Sequence, residues 1–162
     1  MRLPKWVWVA LVSLLVAGPA SAHLRLGQPE VLTGLTAVRL EVERIKPEIE
    51  RDGLFGDMLL EDMELKVRIA GIRLAPADES ANTPVLYLNV DALKCSFGYV
   101  YNIGLYLIEP ATPVRHPGAV RAITLRIPEQ LGITERLSGV REAADDIIDE
   151  FVKAWKKVNS KP

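Results

Sequence analysis

The sequence predicts an α+β fold, a two-layer sandwich of about five mainly antiparallel strands with two helices on one sheet face. Three observations carry this. Apolar and polar residues alternate with period two in several segments separated by Gly and Pro. A segment over 57–70 repeats its apolar residues at helical spacing. A second helical stripe, over 135–158, closes the chain. The order is strand, helix, four strands, helix.

The elements follow one by one. Between Thr36 and Arg44, Val38, Leu40 and Val42 point one way and Arg39, Glu41 and Glu43 the other, the pattern of a half-buried strand. Lys46-Pro47 stops it. Residues 48–56, with Gly53 and Gly56, read as a turn or a loose helical lead. Asp57 is the expected N-cap of a helix through Ala70, with Leu60, Met63, Val67 and Ala70 as its inner stripe. Gly71 supplies the left-handed closure. Ile72 to Ala75 is a short strand, and Pro76 to Pro84 a polar loop.

Val85 to Lys94 alternates Leu86, Leu88 and Val90 against Tyr87, Asn89 and Asp91. Tyr99 to Ile108 sets Ile103, Leu105 and Leu107 against Asn102, Gly104 and Tyr106. The short connection at Gly98 predicts an antiparallel hairpin. Pro110 to Gly118 is turn-rich. Val120 to Ile127 is the last expected strand, with Ile123, Leu125 and Ile127 inward, and Pro128 to Thr134 reads as a loop. The closing helix carries Leu137, Val140, Ala144, Ile147, Phe151, Trp155 and Val158 on one stripe. Its acidic residues precede Lys153, Lys156 and Lys157, which suits the helix dipole.

Residues 1–22 carry an address. Arg2 and Lys5 precede an apolar run from Trp6 to Val16, and Ala20-Ser21-Ala22 offers the small residues of a cleavage site. This is the order of a secretory signal peptide, and the run is short against the roughly 20 residues of a transmembrane helix. The expected product is a periplasmic or secreted, soluble chain starting at His23. No cysteine stands at the cleavage site to accept lipid, and no membrane span is expected after cleavage. The division is a signal peptide at 1–22, a lead-in at 23–33, one α+β domain at 34–158 and a frayed tail at 159–162.

Cleavage leaves 140 residues, enough for one domain with its own core. They carry 18 basic against 21 acidic side chains, a net −3. A mildly acidic chain offers no electrostatic reason to bind nucleic acid. Cys95 is the single cysteine, so no disulfide can form within the chain.

Residues 34–43, the run Glu64 to Ile72 ending Arg68-Ile-Ala-Gly-Ile, the strand Tyr87-Leu-Asn-Val90 and the closing Asp149-Glu-Phe-Val152 together resemble a group of small secreted bacterial proteins. These are packing and turn motifs, so the resemblance brings no catalytic residue with it. The architecture also resembles small periplasmic α+β modules, including the outer-membrane lipopolysaccharide-assembly lipoprotein. Similarity of architecture implies a fold, not an activity.

Motifs for chemistry are sparse. No Gly-x-Ser-x-Gly, dinucleotide loop or phosphate loop occurs, and the two histidines leave little for a triad. The carboxylates at Glu61/Asp62/Glu64 and Asp145/Asp146/Asp149/Glu150 fall on polar helix faces, where solvated charge accounts for them. The alternative chemistry is copper. His23, once N-terminal, could chelate copper(II) through its amine and imidazole, with His116 completing a square-planar set. A small hydrolase is the third reading. The leading expectation is a non-enzymatic binding or assembly module with no cofactor. Its partner is another periplasmic or envelope protein or a small ligand. Strand parity places the working surface on the helix-free sheet face, at Arg39, Glu41, Tyr87, Asn89, Asp91, Asn102, Tyr106, Thr124 and Arg126. Gly104 either opens a shallow depression there or marks a bulge.

Overall fold

The computed structural model describes residues 29–76, 82–115 and 118–160. A 3-10 turn at Pro29–Leu32 leads into β1 (Ala37–Val42), α1 (Pro47–Arg51) and α2 (Gly56–Ala70). Then come β2 (Arg73–Leu74), β3 (Val85–Cys95), β4 (Gly98–Ala111), β5 (Val120–Thr134) and α3 (Leu137–Asn159). One five-stranded sheet has the order β2-β1-β3-β4-β5. β1 runs parallel to both neighbours, and the β3–β4 and β4–β5 pairs are antiparallel. The fold is thus the α+β class the sequence predicts, with a mixed sheet.

The core forms where the periodicities predict. Val38, Leu86, Leu88, Val90, Ile103, Leu105 and Leu107 are buried from the sheet, and Val140, Ala144, Ile147 and Phe151 from α3. These residues, with Leu59, Met63 and Val67 of α2, form one apolar cluster. Side chains two apart on a strand share a face, so one sheet face is committed to the helices. The two long helices are also tied by charge. Arg141 donates to both Asp62 oxygens at 2.6 and 2.8 Å, and Lys66 sits 2.7 Å from Asp149. Several carboxylates that read as solvated charge therefore join helix to helix.

Four local expectations need correction. The N-cap of α2 is Phe55, with Asp57 inside the first turn. There its charge still favours the helix dipole. The inner stripe of α2 turns toward Leu59, Met63 and Val67, leaving Leu60 and Ala70 half-buried. Residues Pro128 to Thr134 continue β5 rather than forming a loop. The ladder steps from Leu105↔Ile127 to Ile103↔Gln130, so Pro128 and Glu129 fall in a bulge opposite Gly104. A proline at an edge-strand bulge forfeits no ladder hydrogen bond. Ile123, expected inside, is 54% exposed, because a second register shift sets it opposite Ile108.

Gly71 closes α2 at φ 91°, as the sequence predicts. Residues Ser96 and Phe97 turn the hairpin, and Gly98 follows at φ 132°. A Cβ there would overlap the Thr134 carbonyl oxygen and lie 2.7 Å from the Glu135 Cα. The end of α3 holds the N-terminal turn. Asn159 donates to the Leu32 carbonyl and accepts from the Gly34 amide, both at 2.8 Å. Trp155 donates its indole N–H to the Leu35 carbonyl at 2.7 Å.

Candidate functional site: the helix-free sheet face

Register sets the side chains of this face in ranks across the strands. Arg39, Val85, Ile108 and Ile123 form one rank. Glu41, Tyr87, Tyr106 and Arg126 form the next, then Asn89 opposite Gly104. Asp91, Asn102 and Leu131 follow, and Leu93, Val100 and Ile133 close the series beside the hairpin turn. The face is therefore polar and aromatic in its middle and apolar toward both ends, with Arg39 the one charge in the first rank.

The middle is organised around two tyrosines. The Tyr87 and Tyr106 rings lie 6.5 Å apart, tilted by 34°. The Arg126 guanidinium stands 5.2 Å over the Tyr106 ring, a cation–π distance. Tyr106 donates its hydroxyl proton to Glu129 at 2.8 Å, and Arg126 lies 3.3 Å from the same carboxylate. Arg39 pairs with Glu41 at 2.7 Å. Partial burial raises the hydroxyl pKa of both tyrosines, with nearby Glu43 adding to it at Tyr87 and Glu129 at Tyr106. Both therefore present neutral hydroxyls at physiological pH, able to donate and accept.

Gly104 opens no depression. The Tyr106 ring folds along its own strand and covers the space a Cβ would need at Gly104, while on the opposite face Tyr101 of β4 covers its cross-strand partner Gly132 of β5. An aromatic ring laid over a strand glycine restores the packing that the missing side chain forfeits. Gly104 is in addition the residue opposite the bulge.

Eight of the nine expected residues share this face: Arg39, Glu41, Tyr87, Asn89, Asp91, Asn102, Tyr106 and Arg126. Thr124 does not. It is the extra residue of the second bulge, between Leu125 and Ile123. Its hydroxyl meets the Glu109 carboxylate and the Leu107 carbonyl instead. Asp91 is drawn to the chain end of β1, where Lys46 pairs with it at 2.6 Å.

Sequence reasoning missed the apolar end. Leu131 is 78% and Ile133 65% exposed, and Leu93 and Phe97 stand beside them on the hairpin. The signal was present, since Gln130 to Thr134 alternates, but Pro128 had ended the strand too early. On the helix side of the same turn, Asp52 accepts from Lys94 at 2.8 Å and from the Tyr99 hydroxyl at 2.9 Å. Those two bonds hold its carboxyl below the usual range. Cys95 is free, its thiol 3.3 Å from the Gly98 carbonyl in the turn.

Among the described residues there is no group of three or more His, Cys, Asp or Glu placed to hold a metal ion. His23 and His116, the expected copper ligands, lie outside the described residues, as does the whole 1–22 segment. Among the described residues no helix is long and apolar enough to cross a membrane.

No protein-family model matches the chain, and no curated protein matches it in sequence. Among solved structures it is similar to a PelC dodecamer from Paraburkholderia phytofirmans. The identity is 18% and the TM-score 0.42, over 78% of this chain and 88% of that one. A second crystal form of the PelC dodecamer gives 18% and 0.42, over 74% and 86%. A minor lipoprotein from Acinetobacter baumannii is similar at 12% identity and a TM-score of 0.32, over 77% of this chain and 97% of that one.

Proposed function

We propose that this protein is an exported, non-enzymatic binding or assembly module of the bacterial envelope, working through the helix-free face of β3, β4 and β5. One observation carries the reading. The face joins a braced Tyr87–Tyr106–Arg126 centre to an apolar turn end where Leu93, Leu131 and Ile133 are exposed and Val100 is half-buried. Tyrosine and arginine beside uncovered apolar area are the composition favoured where proteins bind one another. The apolar end supplies area, and the tyrosine hydroxyls and Arg126 supply direction. The 1–22 segment supports the envelope address.

The test is site-specific photocrosslinking in the exporting cell. A photoreactive residue at 131 or at 106 should give one shared adduct, identified by mass spectrometry. The same group at 153, an exposed site on α3, should not. Adducts from 153 alone, or none from 106 and 131, would overturn the reading. Intact mass of the exported protein should show a chain starting at His23.

A further inference from the structure

We propose a second binding site: the stretch of β1 beyond the end of β2 takes an extended, basic peptide as an added strand. Hydrogen-bond alternation decides which backbone groups are on offer. Arg39 and Glu43 donate their amides to Pro84 and Leu88 on the β3 side, each at 2.8 Å. In a parallel ladder a residue sends its N–H and its C=O the same way, so Arg39, Glu41 and Glu43 face β3. Even-numbered residues face the opposite edge. There the Thr36 and Val38 carbonyls accept from Arg73 and Ala75 at 3.0 and 2.9 Å. β2 ends at Leu74, and Pro76 follows. The N–H and C=O of Leu40 and the N–H of Val42 come next on that edge. Among the described residues nothing pairs with them.

This edge forms one wall of a groove. Leu60, Glu64 and Arg68, four residues apart on one side of α2, form the other wall, and the space beside Leu40 is about 670 Å³. Leu60 also lines a second recess of about 280 Å³ that continues past Val42 to Phe55. Charge differs along the groove. Near β2 the pairs Arg39–Glu41 and Arg68–Glu64 are balanced, at 2.7 and 3.3 Å. Near Phe55, Glu50 and Asp57 stand with Arg44, while the Glu43 side chain bonds Tyr87 on the helix-free face.

Unpaired strand groups recognise a polypeptide backbone, which is the chemistry of strand addition. Leu40 and Leu60 offer apolar contact for one side chain of such a strand. Glu50 and Asp57 select a cationic side chain where it reaches Val42 and Phe55. The unpaired stretch continues the line of β2, and Leu40 to Val42, roughly 10 Å at the usual rise of a strand, pairs the middle of a short added strand. The site shares Arg39 and Glu41 with the rim of the helix-free face but uses the opposite wall of β1, so it stands apart from the function proposed above.

The experiment uses the exported, purified protein labelled for amide NMR. The probe is the blocked peptide Lys-Val-Thr-Val-Lys, with lysine at both ends so that either strand direction presents one. The amides of Leu40 and Val42 should shift and exchange more slowly with solvent. N-methylation of the central residue should weaken binding at least tenfold, and the Glu-Val-Thr-Val-Glu peptide should bind several-fold more weakly. Glu50→Lys, at a partly exposed site, should reverse that preference. Four results would each overturn the proposal. They are no shift at Leu40 and Val42 with millimolar peptide, equal binding of the N-methylated peptide, shifts confined to the helix-free face, and a dimer formed through this edge that the peptide does not displace.

Discussion

The two edges of the sheet solve the same problem in opposite ways. On one side β5 pairs with β4 along nearly its whole length and then meets solvent itself, broken by two bulges and Pro128. On the other side β2 covers only Ala37 and Val38 of β1. Unpaired edges invite further strands, and bulges and proline are the usual means of blunting them. β5 carries those devices in its own sequence. The β1 edge carries none at Leu40 and Val42, and is flanked instead by a helix. One edge is blunted by its own backbone and the other is only roofed, which is why an added strand is assigned to β1. Exposed apolar side chains such as Leu131 and Ile133 point off the face of β5, where they suit docking rather than pairing.

The largest expected effect tests whether the two edges belong to one folding unit. Phe151 is fully buried in the cluster shared by the sheet and both long helices. Phe151→Ala should cost roughly 3–5 kcal/mol. Urea unfolding followed by tryptophan fluorescence and by far-ultraviolet circular dichroism should show coincident transitions. Two separate transitions would divide the molecule between its edges.

Next in size is Gly98→Ala, which strikes the β5 side. The substitution meets both a positive φ and the backbone at Thr134 and Glu135. It should cost about 2–3 kcal/mol. Amide exchange should rise first in β4 and β5. Equal acceleration in β1 and β3 would mean that the hairpin is not an independent weak point.

Trp155→Phe probes the end of the molecule where β1 begins. It removes the bond to the Leu35 carbonyl while keeping an aromatic ring. The expected loss is about 1 kcal/mol, read by the same urea titration. No loss would show that the N-terminal turn is held by Asn159 alone.

The smallest effects come from two aspartates whose shifts have opposite signs. Asp52 has a folded pKa below its unfolded value, because Lys94 and Tyr99 bond its carboxylate. Its contribution is present above the unfolded value near 3.8 and is lost as pH falls through the folded one. Asp52→Asn should therefore lower stability at pH 7 and make no difference in strong acid. Asp145 has a raised pKa, mainly from burial, and its Oδ1 has no hydrogen-bond partner. Its contribution is complete below the unfolded value and is lost as pH rises through the folded one. Asp145→Asn should raise stability slightly at pH 7, with the gain vanishing in strong acid. Thermal unfolding between pH 3 and 7 reads both. A gain for Asp52→Asn, or a loss for Asp145→Asn, would reverse the assignment.

Much of this architecture was legible in the amino-acid pattern. Alternation in Leu86-Tyr87-Leu88-Asn89-Val90 needs only one buried face to set its parity, and α3 needs only its stripe from Val140 to Phe151. Both are local periodicities that burial converts directly into structure. The same parity placed eight of the nine expected residues on one surface. It failed at Thr124 because parity counting assumes an unbroken ladder, and one extra residue reverses every assignment beyond it.

The sequence by itself determined the fold class, the inward faces of the strands, the hairpin, the Gly71 helix stop and the expected address of the chain. Tertiary structure decided which strands are edges, that β5 runs on through Pro128, and that β2 stops short beside β1. It also decided that the Tyr106 ring covers Gly104. The division has a physical cause. Periodicity records whether a side chain is buried, and each residue answers for itself. Edges, bulges and unpaired amides are properties of pairs of strands, and they exist only once the chain has brought distant segments side by side.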